Sequence, residues 1–304
     1  MQSKRECEIC SKVRKVSEQL IELGLAAEYL GNQSTYVSEH GSATICTEAI
    51  GDWMRLAAQL EKVEIDAWKF DGDDAIYCET IADRLDDHSK HYTEHATALT
   101  RFIFVSNGLE ETYRFIDHLY EEVADRRGLV RAKRKRTASL RAVELIDDLF
   151  EREGSSVQPS GFRHLTGVFA SLFNEYVSEH GKALTGIDPG SEGKESYALH
   201  LVRNLRNHVA HGTFPIGPPR DYGGYEDSEE LKQLLNHACR TAALYMQVIF
   251  RGFSPGFQSE DFKAVLNAHG EEYEKFAEKC NLAYVRDLHM KGDFALFNGV
   301  YQFN

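Results

Sequence analysis

The sequence predicts a mainly all-α protein: a helical bundle, preceded by an N-terminal helical region and followed by a short C-terminal β-hairpin. Three observations carry this. Apolar residues recur at a spacing of three to four along most of the chain. Proline is scarce, at 6 in 304 residues, so long helices are not interrupted. Hydrophobic residues make up 42% and charged residues 27%, enough to bury an ordinary core.

The elements follow in order. Val13 to Leu30 carries Leu20, Ile21, Leu23 and Leu25 at helical spacing, and Cys46 to Val63 carries Trp53, Met54, Leu56 and Leu60. Lys69 to Asp74 reads as a turn, and Ile76 to Leu85 resumes a helical pattern. From Ala96 to Val123, Leu99, Phe102, Ile103, Leu109, Tyr113, Ile116, Leu119 and Val123 mark a long helix, with Ser106-Asn107-Gly108 a candidate kink. A basic stretch runs from Arg126 to Arg141. Helices are expected over Leu140 to Phe150 and Phe162 to Leu184, with a loop from Ser155 to Ser160 between them and another from Gly186 to Gly193. Glu195 to His211 is a further helix, stopped by Gly212 and kept stopped by Pro215, Pro218 and Pro219. Ser228 opens a helix to about Phe250, and Ser259 to Lys279 is one or two more. Asn298-Gly299 between Phe294–Phe297 and Val300–Phe303 is a hairpin signal.

This divides the chain into residues 1–95, a helical region of unknown role; 96–252, the bundle; and 253–304, an extension with the hairpin. The hexapeptide Tyr-Val-Ser-Glu-His-Gly occurs at Tyr36–Gly41 and again at Tyr176–Gly181, but the flanks differ and no repeat architecture follows.

A net charge of -13 argues against a general nucleic-acid coat protein, although a local basic patch still binds RNA at close range. Met1 to Arg14 is polar, and no apolar stretch approaches a membrane span. The six cysteines then read as reduced thiols, and the expectation is a cytoplasmic protein without a membrane partner.

The helix ending at His211 has the most chemistry. On a helical wheel, Val202, Leu205 and Val209 form an apolar stripe. Arg203, Asn207 and His211 stand four residues apart beside it, Arg206 sits at the border, and Asn204 and His208 lie further round. Cleaving RNA without a metal needs a base for the 2′-hydroxyl, an acid for the leaving oxygen and cations for the phosphorane. Imidazole and guanidinium suit these roles. A polar stripe is also what any solvated helix face looks like.

The order Arg206-Asn207-x-x-x-His211, with Ala210 and Gly212 around the histidine, resembles the signature of the HEPN superfamily. The frame Arg203-Asn204 to His208 has the same spacing. The resemblance covers about half the chain and implies a four-to-five-helix bundle with a metal-independent endoribonuclease site of Arg206, Asn207 and His211. It needs no cofactor and is completed across a homodimer. It implies a toxin or antiviral-defence effector with RNA as substrate and an antitoxin or other regulatory protein as partner. The alternative is a non-catalytic binding or regulatory module of the same shape.

Further residues are expected to touch substrate: Arg203 and His208 on the helix, and Arg131, Lys133, Arg134, Lys135 and Arg136, whose charge density suits phosphate. The last five read equally well as a solvated loop. Cys7-Glu8-Ile9-Cys10 has the spacing of half a zinc site but no second such pair follows, so free thiols are the plainer reading. His88, His91 and His95 share a helical face, read either as a metal-dependent hydrolase site or as a polar surface.

Overall fold

The structure, a computed structural model, describes residues 7–69, 79–128, 137–180, 192–217, 225–253 and 282–291. The described chain is mostly helical with one small antiparallel sheet. It runs α1 (Glu8–Lys12), α2 (Val16–Leu30), β1 (Gln33–Ser38), β2 (Gly41–Cys46), α3 (Thr47–Gln59), α4 (Glu79–Ile116), α5 (Tyr120–Arg126), α6 (Ala138–Glu153), α7 (Phe162–His180), α8 (Tyr197–Ala210), α9 (Tyr225–Phe253) and α10 (Leu282–Asp287).

Helix α9 is the axis. Every residue from Ala238 to Phe250 is buried, as expected for a stretch that is apolar nearly all round. Helices α2, α4, α7, α8 and α10 pack on it, and α3 packs on α2 and α4. Arg240, Thr241 and Gln247 interrupt the apolar stretch, and burying such groups is costly unless they are partnered. Arg240 donates to Gln19 Oε1 at 3.0 Å and to the Arg14 carbonyl at 2.5 Å. The Gln19 amide donates to Gln247 Oε1 at 2.9 Å, and the Gln247 amide donates to the Val285 carbonyl at 2.6 Å. Burial pulls the Arg240 guanidinium down to about 10, so it stays a cation at neutrality.

Several expectations change. Helix α4 runs from Glu79 to Ile116, joining the two expected helices and passing through position 95. It does not break at Ser106-Asn107-Gly108. Gly108 is inside the helix because α3 crosses there: a Cβ would lie 2.4 Å from Met54 Cε and 3.1 Å from Trp53 Cβ. The residue type signals close packing, not a kink. The strands β1 and β2, paired Gln33 to Cys46 through Ser38 to Gly41, have no counterpart in the expected elements. The hexapeptide Tyr36–Gly41 is strand and turn, while Tyr176 to His180 of its second copy is helical. The expected C-terminal hairpin, the helices over 259–279 and the turn over 70–74 lie outside the described residues.

Helices α2 and α3 cross at Gly24 and Gly51. A Cβ on Gly51 would sit 2.7 Å from the Gly24 carbonyl oxygen, a backbone atom that cannot swing aside. Alanine gains about 1 kcal/mol of helix propensity over glycine. Overpacking costs about 1–3 kcal/mol. Gly51→Ala should therefore destabilise the fold by about 1 kcal/mol, and by no more than about 2 kcal/mol. At Gly167 in α7 a Cβ would meet nothing within 4 Å, so Gly167→Ala should stabilise by about 0.5–1 kcal/mol. Chemical denaturation of the two variants should give opposite signs; the same sign for both would refute the crossing.

Candidate functional site

Helix α8 is anchored at both ends. Just ahead of it, the Glu195 carbonyl accepts a hydrogen bond from Tyr245 of α9, and the Glu195 carboxylate pairs with Arg163 of α7 at 2.5 Å. Along its first three turns Ala198, Leu199, Leu201, Val202 and Leu205 are buried, and Val209 is packed against the same core. The apolar face is wider than the three-residue stripe in the sequence.

The C-terminal end is a Schellman motif. Gly212 has φ +64, the left-handed conformation that glycine adopts without steric cost. Its N–H donates to the Val209 carbonyl at 3.1 Å, and the Thr213 N–H donates to the His208 carbonyl at 2.8 Å. His211 is thereby the last residue to complete a helical bond, donating to the Asn207 carbonyl at 3.0 Å, and its side chain is exposed.

The residues of the motif separate into two sets. Arg206 and Asn207 are half-buried and His211 is exposed. Arg206 Nη1 donates to Asn207 Oδ1 at 3.4 Å, and its Nη2 lies 3.9 Å from Glu110 Oε1 of α4. Arg203 is half-buried; burial pulls its guanidinium down from its usual range, Arg206 adds to this, and Tyr113 and Glu110 oppose it. These groups face outward or toward α4.

In the second set Asn204 is buried and His208 half-buried. Asn204 is fully buried and donates to the His200 carbonyl at 3.0 Å. His208, expected to touch substrate, stacks on Phe173 with ring centroids 6.4 Å apart and has its Nδ1 3.3 Å from the Tyr176 hydroxyl. The frame Arg203-Asn204-His208 thus has its amide and imidazole occupied by packing. The segment holding Arg131, Lys133, Arg134, Lys135 and Arg136 lies outside the described residues.

The histidine face of α4 does something else. Among the described residues, His88, His91 and His95 do not converge as metal ligands. His91 Nε2 donates to the Gly217 carbonyl at 2.8 Å, and the His95 ring packs on Phe214, centroids 6.1 Å apart. Both contacts hold the segment that leaves His211. The sequence signal was present, since two histidines four apart share a face, but it marks a clamp on the 212–217 segment.

Two buried histidines, His95 of the clamp and His289 beside Ser160, should make the stability depend on pH. Burial holds His95 down to about 4, with His91 and Lys232 adding to it, and among the described residues neither ring nitrogen has a hydrogen-bond partner. Burial also holds His289 down to about 4, against the opposing Ser160 carbonyl. Both folded values lie below the unfolded value near 6.5, so on acidification the unfolded chain takes up the protons first. The stability is complete above about pH 6.5 and is lost as pH falls from there toward 4. Between pH 7 and 5 each histidine should cost about 2 kcal/mol. Denaturation curves at the two pH values should show this loss, and His95→Gln should reduce it by about 2 kcal/mol. An unchanged pH dependence in that variant would count against the assignment.

Arg206, Asn207 and His211 thus share one well-anchored helix end, Arg206 turned toward Glu110 of α4 and His211 exposed, with Arg203 one turn back from Asn207. No helix among the described residues is long and apolar enough to cross a membrane. Compared with known proteins, the chain matches no family model, no curated relative and no solved structure.

Proposed function

We propose that the chain is a metal-independent endoribonuclease of HEPN type, acting as a homodimer, with RNA as substrate and Arg206, Asn207 and His211 as its catalytic residues. The role of a toxin or defence effector, held in check by an antitoxin or other regulatory protein, belongs to the same proposal. The observation that supports it is the sorting of the two imidazoles. His208 is held by Phe173 and Tyr176, while His211 stands exposed at a capped helix end. An exposed imidazole on the same helix end as a permanent cation suits proton transfer at a phosphodiester. Arg206 would neutralise the phosphorane oxygens, and Asn207 would hold the guanidinium or a phosphate oxygen. One imidazole cannot be base and acid in the same step, so a second copy supplies the other.

Glu110 favours a second reading. Its carboxylate sits 3.9 Å from Arg206 and offsets part of the charge a phosphate would meet, as suits a module that binds without cutting.

The test is cleavage of total RNA by the full chain without added divalent cation and with EDTA, with circular dichroism to show that the fold persists. Wild type should cut, and His211→Ala should lower the rate by about 100-fold or more. Equal cleavage by both would sink the proposal. Loss of activity in His208→Ala with a silent His211→Ala would move the site to the other frame. RNA binding without cleavage would favour the non-catalytic module.

A further inference from the structure

The Cys7-Glu8-Ile9-Cys10 turn has no second ligand pair in sequence, but the fold brings it a third donor. Cys7 Sγ lies 3.2 Å and Cys10 Sγ 3.3 Å from Nε2 of His164, in the first turn of α7 and more than 150 residues away. Among the described residues this is the one group of three histidine, cysteine or carboxylate ligand atoms that all lie within 4.8 Å of one another. Zinc–sulfur and zinc–nitrogen bonds at a tetrahedral angle place sulfur and nitrogen roughly 3.6 Å apart. The observed separations need to open by only a few tenths of an ångström to admit the ion.

The donors are held by a scaffold. Ile9, between the cysteines, packs against Gly161, where an added Cβ would lie 2.7 Å from Ile9 Cγ2. Gly161 has φ +70 and opens the turn that carries His164. On the other side of α1, Lys291 N–H donates to the Lys12 carbonyl at 2.6 Å and Val13 bridges to Met290. Cys7 and Cys10 are exposed, and Cys10 lines a cleft of about 460 Å³ together with Arg240. An ion from solvent can therefore reach the thiols.

We propose that Cys7, Cys10 and His164 bind a zinc ion that pins the N-terminal segment to the start of α7. Two thiols and a neutral imidazole fit zinc better than the hard cations, which prefer oxygen. Binding forms two Zn–S bonds and one Zn–N bond and releases two thiol protons. Water or a further donor completes the tetrahedron. Tyr176, which contacts His208, lies roughly 18 Å further along α7. The zinc site is therefore remote from the motif helix, and the proposal is independent of the ribonuclease reading.

The test uses the full chain, purified reduced and without chelator. Elemental analysis should find about one zinc per chain, as a single site requires. Cobalt(II) exchanged into the wild-type protein should show thiolate-to-cobalt charge-transfer absorption and the visible bands of a tetrahedral site. Cys10→Ser should weaken the charge-transfer band, and His164→Ala should lower metal affinity at least tenfold. His211→Ala should leave both unchanged. Chelator should lower the melting temperature of wild type and leave that of Cys10→Ser unmoved. Wild-type protein without zinc and without a cobalt band would overturn the proposal. So would a Cys7–Cys10 disulfide in the purified reduced protein, or a cobalt spectrum that neither variant alters.

Discussion

The rest of the structure depends on a buried polar cluster where α9 meets the two ends of the described chain. Arg14 pairs with Glu22 at 2.9 Å, both almost fully buried, and Arg240 reaches Gln19 and the Arg14 backbone. Gln247 spans from Gln19 to the Val285 carbonyl. His289 completes the cluster. Its Nε2 donates to the Ser160 carbonyl at 2.7 Å, so its Nδ1, 3.3 Å from the Gln247 amide, is left as an acceptor. Only the neutral ring can play both parts, in keeping with its depressed pKa. Removing one partner from a buried ion pair costs about 3–5 kcal/mol, because the other charge is then stranded. Apolar packing tolerates small slides of one helix on another, but this cluster does not. It sets the register of residues 14–22 and 285–289 against the central helix.

The constraint reaches both candidate sites. Arg14 follows α1 by two residues, so the register of α2 decides where Cys7 and Cys10 stand relative to His164. On the other side, α8 starts beneath Tyr245 of α9 and finishes at Gly212, whose departing segment is held by His91 and His95. A helix fixed at both ends presents its side chains with little freedom. Reacting groups need that, because misplacement by about 1 Å can cost a hundredfold in rate.

The helices were legible where one side of each is apolar and the other is not. Ala138–Glu153, Phe162–His180 and the helix closed by Gly212 follow from periodicity and a stop signal. The hairpin of residues 33–46 was not. Its core, Tyr-Val-Ser-Glu-His-Gly, is strand and turn in one place, while its first five residues are helical in another, so the choice is made by tertiary contacts. Gly108 misled because glycine in a helix signals either a break or a close neighbour, and only the position of Met54 decides. The sharing of chemistry between His208 and His211 was legible as two frames of one motif. Which imidazole is free depends on Phe173 and Tyr176, more than thirty residues earlier. His164 could not be paired with the cysteines by any local pattern, since zinc-ligand spacing is recognised only when the second pair is close in sequence.

On the proposed reading, the hardest requirement is the supply of both a proton acceptor and a proton donor. Within one copy the motif helix offers a single exposed imidazole, because Tyr176 and Phe173 occupy the other. An acid and a base must then come from two copies whose α8 ends face each other, so activity requires association. Arg206 adds a second condition. In the free chain it lies near Glu110, at a distance that makes a weak, partly solvated pair worth well under about 1 kcal/mol. A phosphodiester offers a charge-assisted bond roughly twice as strong as a neutral one, and Arg can engage it with two donors. On this reading so weak a pair would yield to phosphate at little cost. Dimerisation and the exchange of Glu110 for phosphate are together what such a site would need in order to act on RNA.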